Sequence, residues 1–166
     1  EIRVKEEASA SRSFVGNYLA GRFAVQQRDK EAAALFLGAA LDQSPEDMSL
    51  LDQAFVASLG AGEFEVAVDR AKELLKADAG NRLARIAVAA DALRAATGVD
   101  SFDIALVLGS GWGGAADLIG EEVGSIEAAD LPGFDAHAVA GHSSKMRALR
   151  TPDGRHVLVL GSRQHF

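Results

Sequence analysis

Between Thr97 and Asp103 the sequence changes its period, and that change constrains the fold more than any other feature. From residue 14 to about residue 95 the chain is rich in Ala and Leu, its apolar residues recur at helical spacing, and Pro45 is the lone proline. From residue 104 to residue 166 short β-branched runs alternate with Gly, Pro and Asp, the punctuation of strands, turns and short helices. A chain of 166 residues with two such patterns is expected to divide into a helical domain over 1–95 and a strand-containing domain over 96–166.

Charge narrows the partners. Lys and Arg number 17 against 24 Asp and Glu, a net charge of −7. That balance argues against a general grip on nucleic acid but leaves room for a local basic site for one phosphate. Apolar residues at 48% and charged residues at 25% give an ordinary globular composition. With no cysteine, disulfides, thiolate catalysis and cysteine-ligated zinc are excluded. No pair of histidines stands at ligand spacing, so no metal site is expected. The longest apolar runs, such as Ile104–Leu108, are too short to span a bilayer, and no signal segment opens the chain. A cytoplasmic location with no membrane partner is the expectation. The first residue is Glu1 and the last, Phe166, directly follows a charged cluster, so the chain reads as a fragment.

The helical half repeats itself. Ala20 and Ala54 are 34 residues apart, as are Ala33 and Ala67. In the first unit Ala20, Gly21 and Ala24 supply small positions on one helix, Ala33, Leu37 and Ala40 those on a second, and Pro45 closes the pair. Ala54, Ser58, Ala67, Ala71 and Leu74 continue the pattern, and Arg82–Leu93 opens a third unit without its second helix. Small residues at these places let two helices approach closely. Over roughly 80 residues the pattern resembles tetratricopeptide repeats, whose period is about 34. It departs from them at Asn17 and Leu51, where a large aromatic often sits, and at Phe55, in place of the usual glycine. The resemblance implies a surface for a protein partner, although a peptide groove needs about three repeats. The charges at Glu63, Glu65, Asp69, Arg70, Lys72 and Glu73 read as a solvated helix face.

The chemistry lies in the second half. Ile104–Leu108 is a continuous apolar run suited to a strand buried on both faces. It ends in Gly109-Ser110-Gly111-Trp112-Gly113-Gly114, after which Ala115–Ile119 reads as a helix. A glycine-rich turn between strand and helix presents backbone N–H groups to an anion, and the Ser110 hydroxyl can add a hydrogen bond. Gly109, Gly111 and Gly114 also satisfy the dinucleotide fingerprint, which requires a second buried strand ending in an acid about 20 residues later. The corresponding stretch, Ser125–Phe134, holds acids but no convincing strand, and Pro132-Gly133 looks like a turn. The nicotinamide-binding reading is therefore the weaker.

Four further pieces follow in order: Leu131-Pro132-Gly133-Phe134, then Ala140-Gly141-His142, then a strand at His156–Leu160 after a turn at Pro152-Asp153-Gly154, then Gly161-Ser162-Arg163-Gln164-His165-Phe166. With the Leu108–Gly111 loop before them, they resemble the amino-terminal segment of the trimeric purine nucleoside phosphorylases, from about residue 89 to residue 166. The fold class implied is α plus α/β: tetratricopeptide-like helical hairpins joined to an incomplete α/β phosphorylase fold. The resemblance implies that Gly109, Ser110, Gly111, Arg163 and His165 bind phosphate. It places His142 in a catalytic role near phosphate or ribose and Phe166 at the sugar, where the family commonly carries tyrosine. Trp112 departs from the family's smaller residue and carries no assigned role.

The reaction implied is phosphorolysis of a purine nucleoside to a free base and a pentose 1-phosphate, with inorganic phosphate as co-substrate and no cofactor. The complete enzyme would be a homotrimer. The family's base-recognising acid and asparagine lie further along its chain, so the present segment is expected to be inactive alone. His137 and His156 read as packing or surface residues. Of Lys145, Arg147, Arg150, Arg155 and Arg163, most read as a solvated face that also favours the approach of phosphate.

Overall fold

The computed structural model describes residue 10 and residues 13–108, 112–131 and 145–161. Its contacts divide the chain into two units, Glu1–Ala87 and Val88–Phe166.

The first unit is helical: α1 (Phe14–Gln27), α2 (Lys30–Leu41), α3 (Met48–Ala61), α4 (Phe64–Ala77) and the opening of α5 (Arg82–Thr97). Capping residues set their starts. The side chains of Ser13, Asp29 and Asp47 accept from the backbone N–H of Gly16, Ala32 and Leu50, and Asn81 accepts from Ala84. Arg28, at φ 59°, and Gly62, at φ 81°, end α1 and α3 in the left-handed conformation that closes many helices. The helices α1, α3 and α5 begin at Phe14, Met48 and Arg82, each 34 residues after the last, and α2 and α4 keep the same interval.

Consecutive helices pack α1 on α2, α2 on α3 and α3 on α4. Ala33, Ala40, Ala54, Ala67 and Ala71 are buried in the seams, around the larger Leu37, Leu50 and Phe55. Close approach requires the small positions: a Cβ on Gly21 would lie 2.7 Å from the Leu37 Cγ. Arg70 departs from the solvated face expected for it. Its guanidinium turns inward, donating to the Ala54 carbonyl at 3.1 Å and to the buried Ser58 hydroxyl, which in turn donates to Glu63 at 3.2 Å. Burial lowers the Arg70 pKa against the opposing pull of Glu63 and Asp42.

The second unit carries a four-stranded mixed sheet of β1 (Ile104–Val107), β2 (Glu121–Glu127), β3 (Lys145–Arg150) and β4 (His156–Leu160), in the order β1-β4-β3-β2. β1 runs parallel to β4, whereas β3 is antiparallel to both β4 and β2. The β3–β4 hairpin turns at Gly154, φ 86°, and Thr151 closes it by accepting from and donating to Arg155. Ala116, Leu149, Val157 and Val159 form the core of one sheet face, with Leu106, Leu108 and Ile119 packed around them. A helical unit and a unit with a mixed sheet agree with the α plus α/β class. No helix among the described residues is long and apolar enough to cross a membrane.

Three local expectations change. β1 is present but not buried on both faces: Ile104 is 38% and Val107 60% exposed, and among the described residues β1 has only β4 as a strand neighbour. The helix expected at Ala115–Ile119 is a short 3-10 helix, Gly113–Leu118. Of the acid-bearing stretch Ser125–Phe134, the first three residues close a strand, β2 (Glu121–Glu127), that begins before it, and Ala128–Asp130 is a 3-10 turn. Glu121 and Glu122 are matched by basic partners on β3, and this cross-strand pairing outweighs the weak strand propensity of Glu and Gly.

Candidate functional site

The seven residues singled out from sequence, Gly109, Ser110, Gly111, His142, Arg163, His165 and Phe166, lie outside the described residues, as does His137. What the structure describes is the scaffold from which their segments depart. Val107 of β1 pairs with Leu160 of β4, and the Leu108 N–H donates to the Leu160 carbonyl at 3.0 Å. Gly109 follows directly on Leu108, and Gly161 on Leu160. Because β3 is antiparallel to β4, Met146 also pairs with Leu160, so β3 begins at that same end of the sheet. The carboxyl ends of β1 and β4 and the amino end of β3 therefore stand side by side.

The opposite end is pinned by Asp103. Its carboxylate accepts from the His156 N–H at 2.8 Å, while its own N–H donates to the His156 carbonyl at 2.9 Å. These bonds fix β1 against β4 in the register that brings Val107 level with Leu160. His156 is half-buried at the start of β4, as a packing residue would be.

Among the described residues, Lys145, Arg147, Arg150 and Arg155 are each paired with a carboxylate. Arg147 on β3 binds Asp117 of the 3-10 helix at 2.7 Å and Glu122 of β2 at 2.6 Å, with its side chain only 23% exposed. Glu122 takes a second cation, Lys145, at 2.9 Å. Hydrogen bonds from Lys145 and then Arg147 lower the Glu122 pKa, and those to Asp117 and Glu122 raise that of Arg147. Arg150 meets Glu121 at 3.2 Å, and Arg155 meets Asp153 at 2.6 Å. Hydrogen bonds from Arg155 and Thr151 hold the Asp153 carboxyl down to about 2. The bridge through Arg147 was missed in the sequence because its partners lie 30 and 25 residues away.

In the first unit a groove of about 400 Å³ opens between α1 and α3, floored by Ala33 and Leu37 of α2. Val25 and Val56 line it, and Arg22 crosses it to Gln53 at 3.1 Å.

No family profile matches the chain. It is similar to a purine nucleoside phosphorylase of Cellulomonas sp, 58% identical over 82 residues, which are 47% of this chain and 29% of the relative. Phosphorylases of the same name from Mycobacterium tuberculosis and Mycobacterium leprae are 41% identical over 78 residues and 40% over 77, covering 46% of this chain and 28% of each relative. The chain thus spans less than a third of the length of these curated relatives. Over about 47% of its length, it is homologous to proteins named purine nucleoside phosphorylase.

Proposed function

We propose that residues 89–166 form the phosphate half-site of a purine nucleoside phosphorylase. The observation that supports this reading is the pairing of Val107 with Leu160 across two parallel strands, with the Leu108 N–H bonded to the Leu160 carbonyl. Ligands of open α/β sheets bind beyond the carboxyl ends of parallel strands. There the chain continues into Gly109-Ser110-Gly111 after β1 and into Ser162–Phe166 after β4, while the segment holding His142 leads into β3. Backbone amides and the Ser110 hydroxyl would hold phosphate from one side, with Arg163 and His165 on the other supplying charge-assisted hydrogen bonds. His142 would act at the phosphate or the ribose, and Phe166 would pack on the sugar.

In the complete enzyme the glycosidic bond loosens to an oxocarbenium-like sugar, which bound phosphate stabilises and then captures at the anomeric carbon. The protein contributes position and fixed charge, with inorganic phosphate as co-substrate and no cofactor. The complete enzyme is read as a cytoplasmic homotrimer acting on purine nucleosides. The chain spans 29% of that relative's length, and this reading assigns it the phosphate side of the site. Purified 166-residue protein should therefore bind inorganic phosphate and leave inosine and guanosine intact. Turnover of either nucleoside would overturn the half-site reading, and absence of phosphate binding would overturn the phosphate assignment.

A dinucleotide site is the less favoured alternative. Its fingerprint requires an adjacent parallel second strand, whereas β2 is separated from β1 by β4 and β3 and is antiparallel to β3. Titration with NAD beside phosphate separates the two. For the first unit, helix starts at a constant interval of 34 residues favour tetratricopeptide-type hairpins and a role in binding a protein partner.

A further inference from the structure

We infer that the outer face of α1 binds a second copy of this chain, helix against antiparallel helix. The inference rests on the reading of the first unit as a partner-binding surface and stands apart from the phosphate half-site. Asn17, Gly21 and Ala24 are the buried side of α1, which packs on α2. On the opposite side Val15, Leu19 and Phe23 follow one another at intervals of four residues, one stripe along about 12 Å of helix. They are 61%, 61% and 62% exposed. Gly16 and Ala20 lie beside them, and Arg22, at the margin, is drawn aside to Gln53. The stripe itself carries no charge. Three large apolar side chains in line are a contiguous patch, not scattered exposure.

The 34-residue interval shows what kind of neighbour such a face takes. One interval on, Gly16, Leu19 and Phe23 become Leu50, Gln53 and Ala57 of α3. There Leu50 and Ala57 are buried, α2 packs on the helix, and Arg22 of α1 reaches Gln53. Helices therefore cover in α3 the positions that α1 leaves open. Where the covered face carries Gln and Ala, the open one carries Leu and Phe. The stripe is also complementary to itself. Its two intervals are equal, so a twofold axis through Leu19 sets Leu19 on Leu19 and Val15 of one copy against Phe23 of the other. The smaller side chain meets the larger at both ends, and no like charges are brought together.

Sedimentation equilibrium of the full chain over about 1–100 μM, the range suited to a small interface, reads the association directly. We expect the apparent mass to rise from that of one chain toward twice that value. Leu19→Asp should hold the chain monomeric throughout. Its thermal melt at the lowest concentration should match wild type, because Leu19 is exposed within the monomer. Leu118→Asp, at an exposed apolar position in the second unit, should associate as wild type does. The chain has no cysteine, so Leu19→Cys carries a single thiol. A short bis-maleimide should join two copies through that thiol and should leave Leu118→Cys unjoined. A wild type that stays monomeric at the highest concentration would overturn the inference and leave the helical hairpins to bind a different protein. An oligomer that survives Leu19→Asp, or a Leu19→Cys chain that the reagent does not join, would place the contact elsewhere and overturn it as well.

Discussion

Thr97 stands directly over Gly124: a Cβ built on Gly124 would lie 2.7 Å from the Thr97 Cα and 3.1 Å from its carbonyl oxygen. Thr97 is the last residue of α5, held there by its hydroxyl donating to the Leu93 carbonyl at 2.7 Å. Gly124 lies where the β2–β3 register shifts, between Glu122 and Gly124. The helix end and the strand irregularity therefore fit together through backbone atoms, which have no rotamer with which to yield.

Gly124→Ala should accordingly destabilise the second unit by about 1–3 kcal/mol, the usual cost of overpacking a close contact. Urea unfolding followed by the Trp112 fluorescence would measure it. The neighbouring change Ser125→Ala, as a control, should cost much less. Equal midpoints for wild type and Gly124→Ala would show that α5 does not bear on β2.

This pair also shows where the sequence was legible. The hairpin strand β4 and the turn at Pro152–Gly154 were readable because a short β-branched apolar run follows turn residues there. The end of the helical period near Thr97 was readable for the same reason. β2 was not, because Glu121-Glu122-Val123-Gly124 has poor strand propensity and its support comes from cations on β3 and from Thr97. The exposure of β1 was equally hidden, since an apolar run does not say whether its strand is central or marginal in the sheet. Arg70 looked solvated because the groups that receive it, Ala54 and Ser58, lie a full helix earlier in the chain.

Arg70 yields a second prediction. A Cβ on Gly38 would lie 2.7 Å from the Arg70 Nη2, so Gly38 leaves the space that the guanidinium occupies. Arg70→Met removes the donors to Ala54 and Ser58 and should cost about 1–3 kcal/mol, the range for a charged hydrogen bond or a stranded buried polar group. Gly38→Ala displaces the same guanidinium. The double variant should therefore lose less than the sum of the single losses, because each removes one shared interaction. Strict additivity in denaturation experiments would show that Gly38 and Arg70 are independent.

Acid should weaken the second unit through Glu122. Lys145, and after it Arg147, lower the Glu122 pKa below its ordinary 4.5 in the folded chain. A depressed carboxylate contributes stability that is complete above the unfolded value and is lost as pH falls through the folded one. Wild type should thus exceed Glu122→Gln in urea midpoint at neutral pH, and the difference should shrink as pH falls below 4.5. A difference that is constant with pH would assign the effect to packing rather than to charge.

The Asp153 carboxyl offers a local check on the β3–β4 turn. It is held down to about 2, first by Arg155 and then by Thr151. In an NMR titration of the side-chain carboxyl, Arg155→Ala should move the midpoint up toward the ordinary 3.8. Because the group is exposed, little change in unfolding free energy should accompany it. A midpoint unmoved by the substitution would mean that Arg155 does not hold the carboxylate in solution.

Arg163 carries the sharpest prediction for the proposed site. It stands three residues beyond Leu160, whose carbonyl accepts from Leu108, and it is the first cation after β4. A fork of N–H donors there would meet an anion held by Gly109–Gly111, with His165 two residues on able to face the same side. Removing it strips charge-assisted bonds worth about 1.5–3 kcal/mol in all, or roughly a tenfold to hundredfold loss of affinity. Arg163→Ala in this chain should therefore lose phosphate binding by that factor, while Arg163→Lys, which keeps charge but not the fork, should retain part of it. In a complete enzyme the same change should weaken phosphate binding far more than nucleoside binding. Equal losses for the two ligands would move Arg163 away from the phosphate and place it among the residues that merely hold the fold.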